Sequence, residues 1–243
     1  MELGIQVSSL KPLLNTPEQV DQVFARMAQM GCRWVQLQWI DPAVSPEDIA
    51  AALNRHGLRS VSVQDFCTSI REILEYYVNL NQRTGGRWLC VSRIPEECKS
   101  PQGLAEFARE LEALNDKLSP LGQQVCFHPV SADFQAVPGL DAVEVLLKKL
   151  PWMPLCLDLY HLNRCCGDMP GYIRRHAGRI CMVHFKDSRD GRLVPAGQGD
   201  TPWEGVAHAC RDAGVEYAFV EQETWDGDPF QCLQEALDWL KIQ

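Results

Sequence analysis

Along the chain, short apolar runs alternate with longer stretches in which apolar residues recur every three or four positions. "LGIQV" (3–7) reads as a strand and the following "TPEQVDQVFARMAQMG" as an amphipathic helix. Thr16 supplies its N-cap, Pro17 suits the first turn, Glu18 and Asp21 favour the positive end, and Gly31 stops it. "RWVQLQW" (33–39) is the next strand, and "SPEDIAAALNRHG" repeats the helix grammar from Ser45 and Pro46 to Gly57.

The unit recurs to the end of the chain. Strands are expected at 59–64, 88–92, 124–128, 154–158, 179–185 and 217–221. Helices are expected over 66–83, through "SPQGLAEFARELEALNDKLSPLG", over 139–150, 169–176 and 202–213, and in the closing "DPFQCLQEALDWLK". Continuously apolar strands alternating with helices signal a parallel sheet with helical crossovers. Eight units predict an α/β protein with a single (β/α)8 TIM barrel spanning 1–243. A doubly wound open sheet is the rival; it usually carries a G-x-G-x-x-G fingerprint, which is missing here.

Length agrees with the barrel: 243 residues, against the roughly 250 typical of that fold. The formal net charge of −9 disfavours nucleic acid and anionic lipid as partners. No apolar run approaches the roughly 18 residues of a membrane span. The eleven cysteines include no C-x-x-C pair, and the amino terminus lacks the basic start and apolar stretch of a signal peptide. Reduced thiols in a cytoplasmic protein, several serving as small core residues, are therefore expected.

In such a barrel, active sites form at the C-terminal ends of the strands. There the fifth strand ends in His128 and the sixth in Asp158, with His161 beyond. The seventh carries His184 and then Lys186, and the eighth ends in Glu221 followed by Gln222 and Glu223. Each has an ordinary explanation: His128 and His184 as packed histidines, Asp158 as a cap, Glu221 as a partner of Lys186. Placement on four neighbouring strand ends makes one shared site the better account. Imidazoles and carboxylates together suit a divalent transition metal, with an open position for water or substrate oxygen. Gln36, Gln38 and Gln64 could bind substrate hydroxyls, and Trp39, Phe66 and Trp225 could wall the pocket. His56, His176 and His208 are expected to be helix-end, packing or surface residues.

The last ninety residues resemble the xylose isomerase-like superfamily, which includes sugar phosphate isomerases and epimerases. The resemblance is carried by "LCLDLYHLNRCCGDMPGYIRRHAGRICMVHFKD", by "PAGQGDTPWEGVAHACRDAGVEYAFVEQE" and by the closing helix. It implies metal ligation by Asp158, His184 and Glu221, and substrate contact by His161. The family's fifth-strand Glu is replaced by His128 in "CFHPV", similar to the inosose dehydratase-like branch, and Gln36 stands where a second-strand Glu is usual.

The resulting expectation is a metal-dependent isomerase or epimerase of a sugar, ketose or polyol ketone, acting by α-proton abstraction through a metal-stabilised enediolate. One divalent ion (Mn, Zn, Co, Fe or Mg) is expected on Asp158, His184, Glu221 and His128. Glu221 and His128 are the expected proton carriers, and His161, Lys186 and Gln64 the substrate contacts. Alternatives are a dehydratase of a keto-inositol or similar compound and a non-catalytic sugar-binding barrel. An abasic-site endonuclease on the same barrel fits less well, given the acidic charge and few histidines. Homo-oligomerisation is left open.

Overall fold

The computed structural model describes all 243 residues. Eight parallel strands close into a barrel: β1 (Glu2–Gln6), β2 (Trp34–Leu37), β3 (Arg59–Phe66), β4 (Trp88–Ser92), β5 (Gln124–His128), β6 (Leu155–Asp158), β7 (Ile180–Phe185) and β10 (Tyr217–Val220), which returns to β1. A hairpin absent from the sequence-based expectation, β8 (Asp187–Arg189) and β9 (Arg192–Val194), follows β7. Its two-residue turn is Asp190–Gly191, both with positive φ (51° and 76°), as a primed hairpin turn requires.

Three helices start at the expected caps, whereas those expected over 139–150 and 202–213 begin later, at Ala142 and Val206. Thr16, Ser45 and Ser100 each accept a backbone N–H bond three residues on, ahead of helices Pro17–Gln29, Pro46–His56 and Pro101–Leu118. The helix expected over 66–83 comes as two, Cys67–Glu72 and Leu74–Thr84. Between them Ile73 leaves helical geometry (φ −132°, ψ 45°). The second helix is tied to the end of β3 by the Tyr77 hydroxyl, which donates to Asp65 Oδ2 at 2.8 Å. No helix is long and apolar enough to cross a membrane.

Side chains two residues apart on a strand share a face, so each barrel strand stacks residues into layers. The lower interior is a plug that includes Trp88, Cys90, Cys126, Cys156, Met182 and Phe219. Gly4 makes room for it: a Cβ there would stand 2.7 Å from the Phe219 ring and 2.3 Å from the Trp34 carbonyl oxygen. The cysteines act as small apolar residues, and all eleven in the chain are free thiols. Two residues further along each strand the layer turns polar: Gln6, Gln36, Gln64, Ser92, His128, Asp158 and His184, all buried. Register sets neighbours side by side, Gln6 with Gln36, Ser92 with His128 and Asp158 with His184. The outward faces of the strands pack against the helices to form the main core.

Candidate metal centre

Asp158 is both a cap and a site residue. Its Oδ1 accepts the backbone N–H groups of Tyr160 (2.8 Å) and His161 (3.1 Å), starting the short helix Leu159–Asn163. Its Oδ2 is buried without a hydrogen-bond partner. On β7, His184 donates from Nε2 to Gln36 Oε1 at 2.5 Å. In the neutral ring that bond makes Nδ1 the lone-pair nitrogen, 3.2 Å from Glu221 Oε2 and without a hydrogen bond of its own. Glu221 follows β10, and its Oε1 accepts from the Ser8 hydroxyl at 3.0 Å. One ligand-type atom from each of Asp158, His184 and Glu221 lies within 4.8 Å of the other two.

The remaining expected residues surround this triad. His128 Nδ1 is 3.0 Å from Ser92 Oγ, and its Nε2 is unpartnered, 3.9 Å from Asp158 Oδ2. Its ligand group, however, is a second one, with Cys156 and His184, rather than the carboxylate triad. His161 Nε2 stands 3.8 Å from Asp158 Oδ2 on the partly open side. Lys186 pairs with Glu223 and lies 3.9 Å from Glu221 Oε2. Gln64, expected to contact substrate, lies buried on β3. It donates to Gln38 and accepts from Gln36 and the Cys90 thiol. With Gln6, which donates to Gln36 and Gln38, these glutamines bond to one another rather than to the mouth of the barrel.

The outer histidines are structural, as expected. His56 and His176 pair with Asp21 (2.9 Å) and Glu144 (2.7 Å), and exposed His208 with Asp212 (3.3 Å). Cys126 lies in the plug, and Cys165 donates to the Ser131 carbonyl away from the triad.

Electrostatics separate these groups. Burial pushes the Glu221 carboxyl upward, but Lys186 and His184 outweigh it and hold it well below the usual carboxylate range. Burial, then the Glu221 charge, pushes Glu223 up to about 7. Burial, reinforced by His184, drives His128 well below its ordinary value, so it is neutral near pH 7. His184 is raised: burial opposes its charge, and the neighbouring Glu221 outweighs burial. Opposed environments on adjacent titratable groups are a recurring feature of functional sites.

The residues present fit a divalent cation. Three buried polar atoms with no hydrogen bond, Asp158 Oδ2, His184 Nδ1 and His128 Nε2, stand together, an arrangement that is costly unless something supplies a partner. The triad offers one nitrogen and carboxylate oxygens, the mixed set that suits Zn2+, Mn2+, Fe2+ or Co2+. Gln36, bonded to the far nitrogen of His184, stands where an outer partner would orient a metal-binding imidazole.

Sequence reasoning missed Ser8, the Gln36–His184 bond and any role for Cys156 or Glu223. It also missed the backbone at the rim, where Trp39 and Arg93 adopt positive φ (58° and 65°), strain that such residues rarely carry. Both pack on Phe66: the Trp39 ring centroid is 5.8 Å from that of Phe66 and the Arg93 guanidinium 4.5 Å over it. A cavity of about 660 Å³ lies elsewhere, bounded by residues including Phe134, Leu162, Tyr172 and Arg175.

The fold is a closed (β/α)8 TIM barrel with its buried polar cluster at the C-terminal ends of the strands. Residues 24–243 match the model of the xylose isomerase-like TIM barrel family, and the chain belongs to that family. Solved structures with the same fold include a sugar phosphate isomerase/epimerase from Parabacteroides distasonis (18% identity, TM-score 0.80, covering 100% of this chain and 98% of that one). Another is D-allulose 3-epimerase from a Methylomonas species (15%, TM-score 0.78, 100% and 97%). A third is the IOLI protein with a binding zinc atom (15%, TM-score 0.74, 100% and 97%). No protein of curated function matches the chain by sequence.

Proposed function

We propose that the protein is a divalent-metal-dependent isomerase or epimerase of a sugar, ketose or related polyol ketone. The observation that carries this reading is the convergence of Asp158 Oδ2, His184 Nδ1 and the Glu221 carboxylate, buried at the C-terminal face of the barrel. Neighbours in fold named as sugar epimerases, one of them with D-allulose bound, and a neighbour named for its bound zinc support it.

Asp158, His184 and Glu221 would hold the ion, which when bound supplies Lewis-acid polarisation of a substrate carbonyl or hydroxyl. The chain's own groups do the rest. Glu221, kept ionised by Lys186 and His184, takes the proton from the carbon beside the carbonyl. Ser8 fixes the other Glu221 oxygen and so its direction of approach. His128, neutral and with Nε2 free, is the second proton carrier. His161 and Lys186, on the open side of Asp158 and Glu221, hold substrate hydroxyls. Gln64, bonded to Gln36 and Gln38, braces the glutamine that holds His184.

The test is solvent exchange. Ketoses incubated with Mn2+-loaded protein in deuterated water should gain deuterium at the carbon beside the carbonyl, and Glu221→Gln should abolish the gain. Metal-loaded protein that binds ketoses and exchanges none of them would instead be a sugar-binding barrel.

A further inference from the structure

Beneath the carboxylate triad lies a second cluster of ligand-type atoms. His128, Cys156 and His184 each offer one within 4.8 Å of the others, and all three residues are buried. Cys156 precedes Asp158 by two residues on β6 and shares its inward face. Its Sγ is 3.2 Å from His184 Nε2. His128 Nε2 is one of the unpartnered buried atoms, and the two imidazoles lie with ring centroids 5.0 Å apart. The upper triad is rich in oxygen; the lower one has two nitrogens and a sulfur. Thiolate and imidazole select soft or borderline ions, whereas carboxylates accept hard ones.

We infer that His128, Cys156 and His184 form a second, thiolate-bearing cation position for Zn2+, Cd2+ or Cu+, occupied in alternation with the Asp158–His184–Glu221 position. The alternation follows from His184. A neutral imidazole has one lone pair. With Nε2 protonated and bonded to Gln36, the lone pair on Nδ1 faces Glu221. For the lower position the proton must move to Nδ1, the Gln36 bond must break, and Nε2 then faces Cys156. As the sulfur takes the ion, its S–H bond breaks and the proton leaves to solvent. An ion below therefore withdraws His184 from the ion above. This alternation rests on the metal reading of the upper triad; the lower position stands without it.

The experiment is a Cd2+ titration of metal-free protein, followed by thiolate-to-cadmium charge-transfer absorption in the ultraviolet and by cadmium NMR. Wild type should develop the band with a cadmium shift for one sulfur and nitrogen ligands. Asp158→Asn and Cys165→Ser should keep the band, and Cys156→Ser or Cys156→Ala should lose it. In protein preloaded with Mn2+, Cd2+ should release Mn2+, detected by paramagnetic resonance, at a concentration at least tenfold lower in wild type than in Cys156→Ser. Cadmium bound with an all-oxygen/nitrogen shift, a band that survives loss of Cys156, or Mn2+ release indifferent to Cys156 would overturn the inference. Failure to bind Mn2+ alongside a Cys156-dependent band would remove the proposed upper site and the alternation, and leave the lower position.

Discussion

His184 Nδ1 lies 3.2 Å from Glu221 Oε2, on two side chains closed off from solvent. Only the lone-pair nitrogen can serve a cation there, and which nitrogen that is depends on the bond at the far side of the ring. Gln36 accepts the Nε2 proton at 2.5 Å. Gln36→Leu removes that acceptor and lets the ring change tautomer. We expect Mn2+ affinity to fall by about 10- to 100-fold, read by equilibrium dialysis, with the thermal midpoint changed much less than the affinity. Unchanged Mn2+ affinity would mean that Gln36 does not set the orientation.

The Glu223 carboxyl makes stability fall as pH rises. Its folded value, about 7 through burial and the Glu221 charge, stands above the ordinary carboxyl value of 4.5. Between these two values the folded protein holds the extra proton, so stability is greatest below the unfolded value and is lost as pH rises through the folded one. In metal-free protein, Glu223→Gln should therefore be more stable than wild type at pH 8, by on the order of 2 kcal/mol. The gain should vanish near pH 4. Denaturant titrations at the two pH values measure it; a gain that is equal at both would show that charge is not the cause.

Asp187 holds together the loop beyond β7. Its carboxylate accepts backbone N–H groups from Ser188 (2.9 Å), Gly197 (3.0 Å), Gly199 (2.9 Å) and Thr201 (3.2 Å), and the Trp203 indole N–H (2.8 Å). Gly199 is required by this closeness, since a Cβ there would stand 2.1 Å from Asp187 Oδ1. Asp187→Ala leaves several buried donors unmatched and should cost on the order of 3 kcal/mol. Gly199→Ala should destabilise in the same direction. Chemical denaturation checks both, and a loss below about 1 kcal/mol for Asp187→Ala would contradict this role.

Trp39 and Arg93 test the meaning of the strained rim. Both hold positive φ while packing on Phe66. Glycine tolerates that backbone but loses the packing. Arg93→Gly should leave stability within about 1 kcal/mol of wild type. It should raise the KM of an accepted ketose at least several-fold with kcat little changed. A kcat loss with constant KM would instead place Arg93 at the chemistry.

The triad was legible in the sequence because a parallel strand buried on both faces is a nearly unbroken apolar run, against which Asp158, His184 and Glu221 stand out. Their placement on neighbouring strand ends followed from counting strands. The barrel was legible for the same reason, and helix starts followed from capping residues such as Ser45. What escaped notice lacked that contrast. Gln36 and Gln64 are polar, but nothing local shows that they bond to each other beneath the site rather than reach a substrate. Cys156 passes for one more small residue in "LCLD". Ser8 lies in the 3₁₀ segment Val7–Leu13, beyond the first strand, and meets Glu221 only when β1 and β10 close the ring. The β8–β9 hairpin carries a turn signal, Asp190–Gly191, but its strands are only three residues each and hold no apolar run. Periodicity reveals neither the break at Ile73 nor the tertiary Tyr77–Asp65 bond just after it.

The central claim is that Asp158, His184 and Glu221 share one ion. Its most direct test is elemental analysis of wild type, Asp158→Ala and His184→Ala after loading with Mn2+ and exhaustive dialysis. The account predicts a single Mn2+ per chain in wild type and little or none in either variant, with both variants still folded by circular dichroism. Mn2+ retained in full by both folded variants would contradict it.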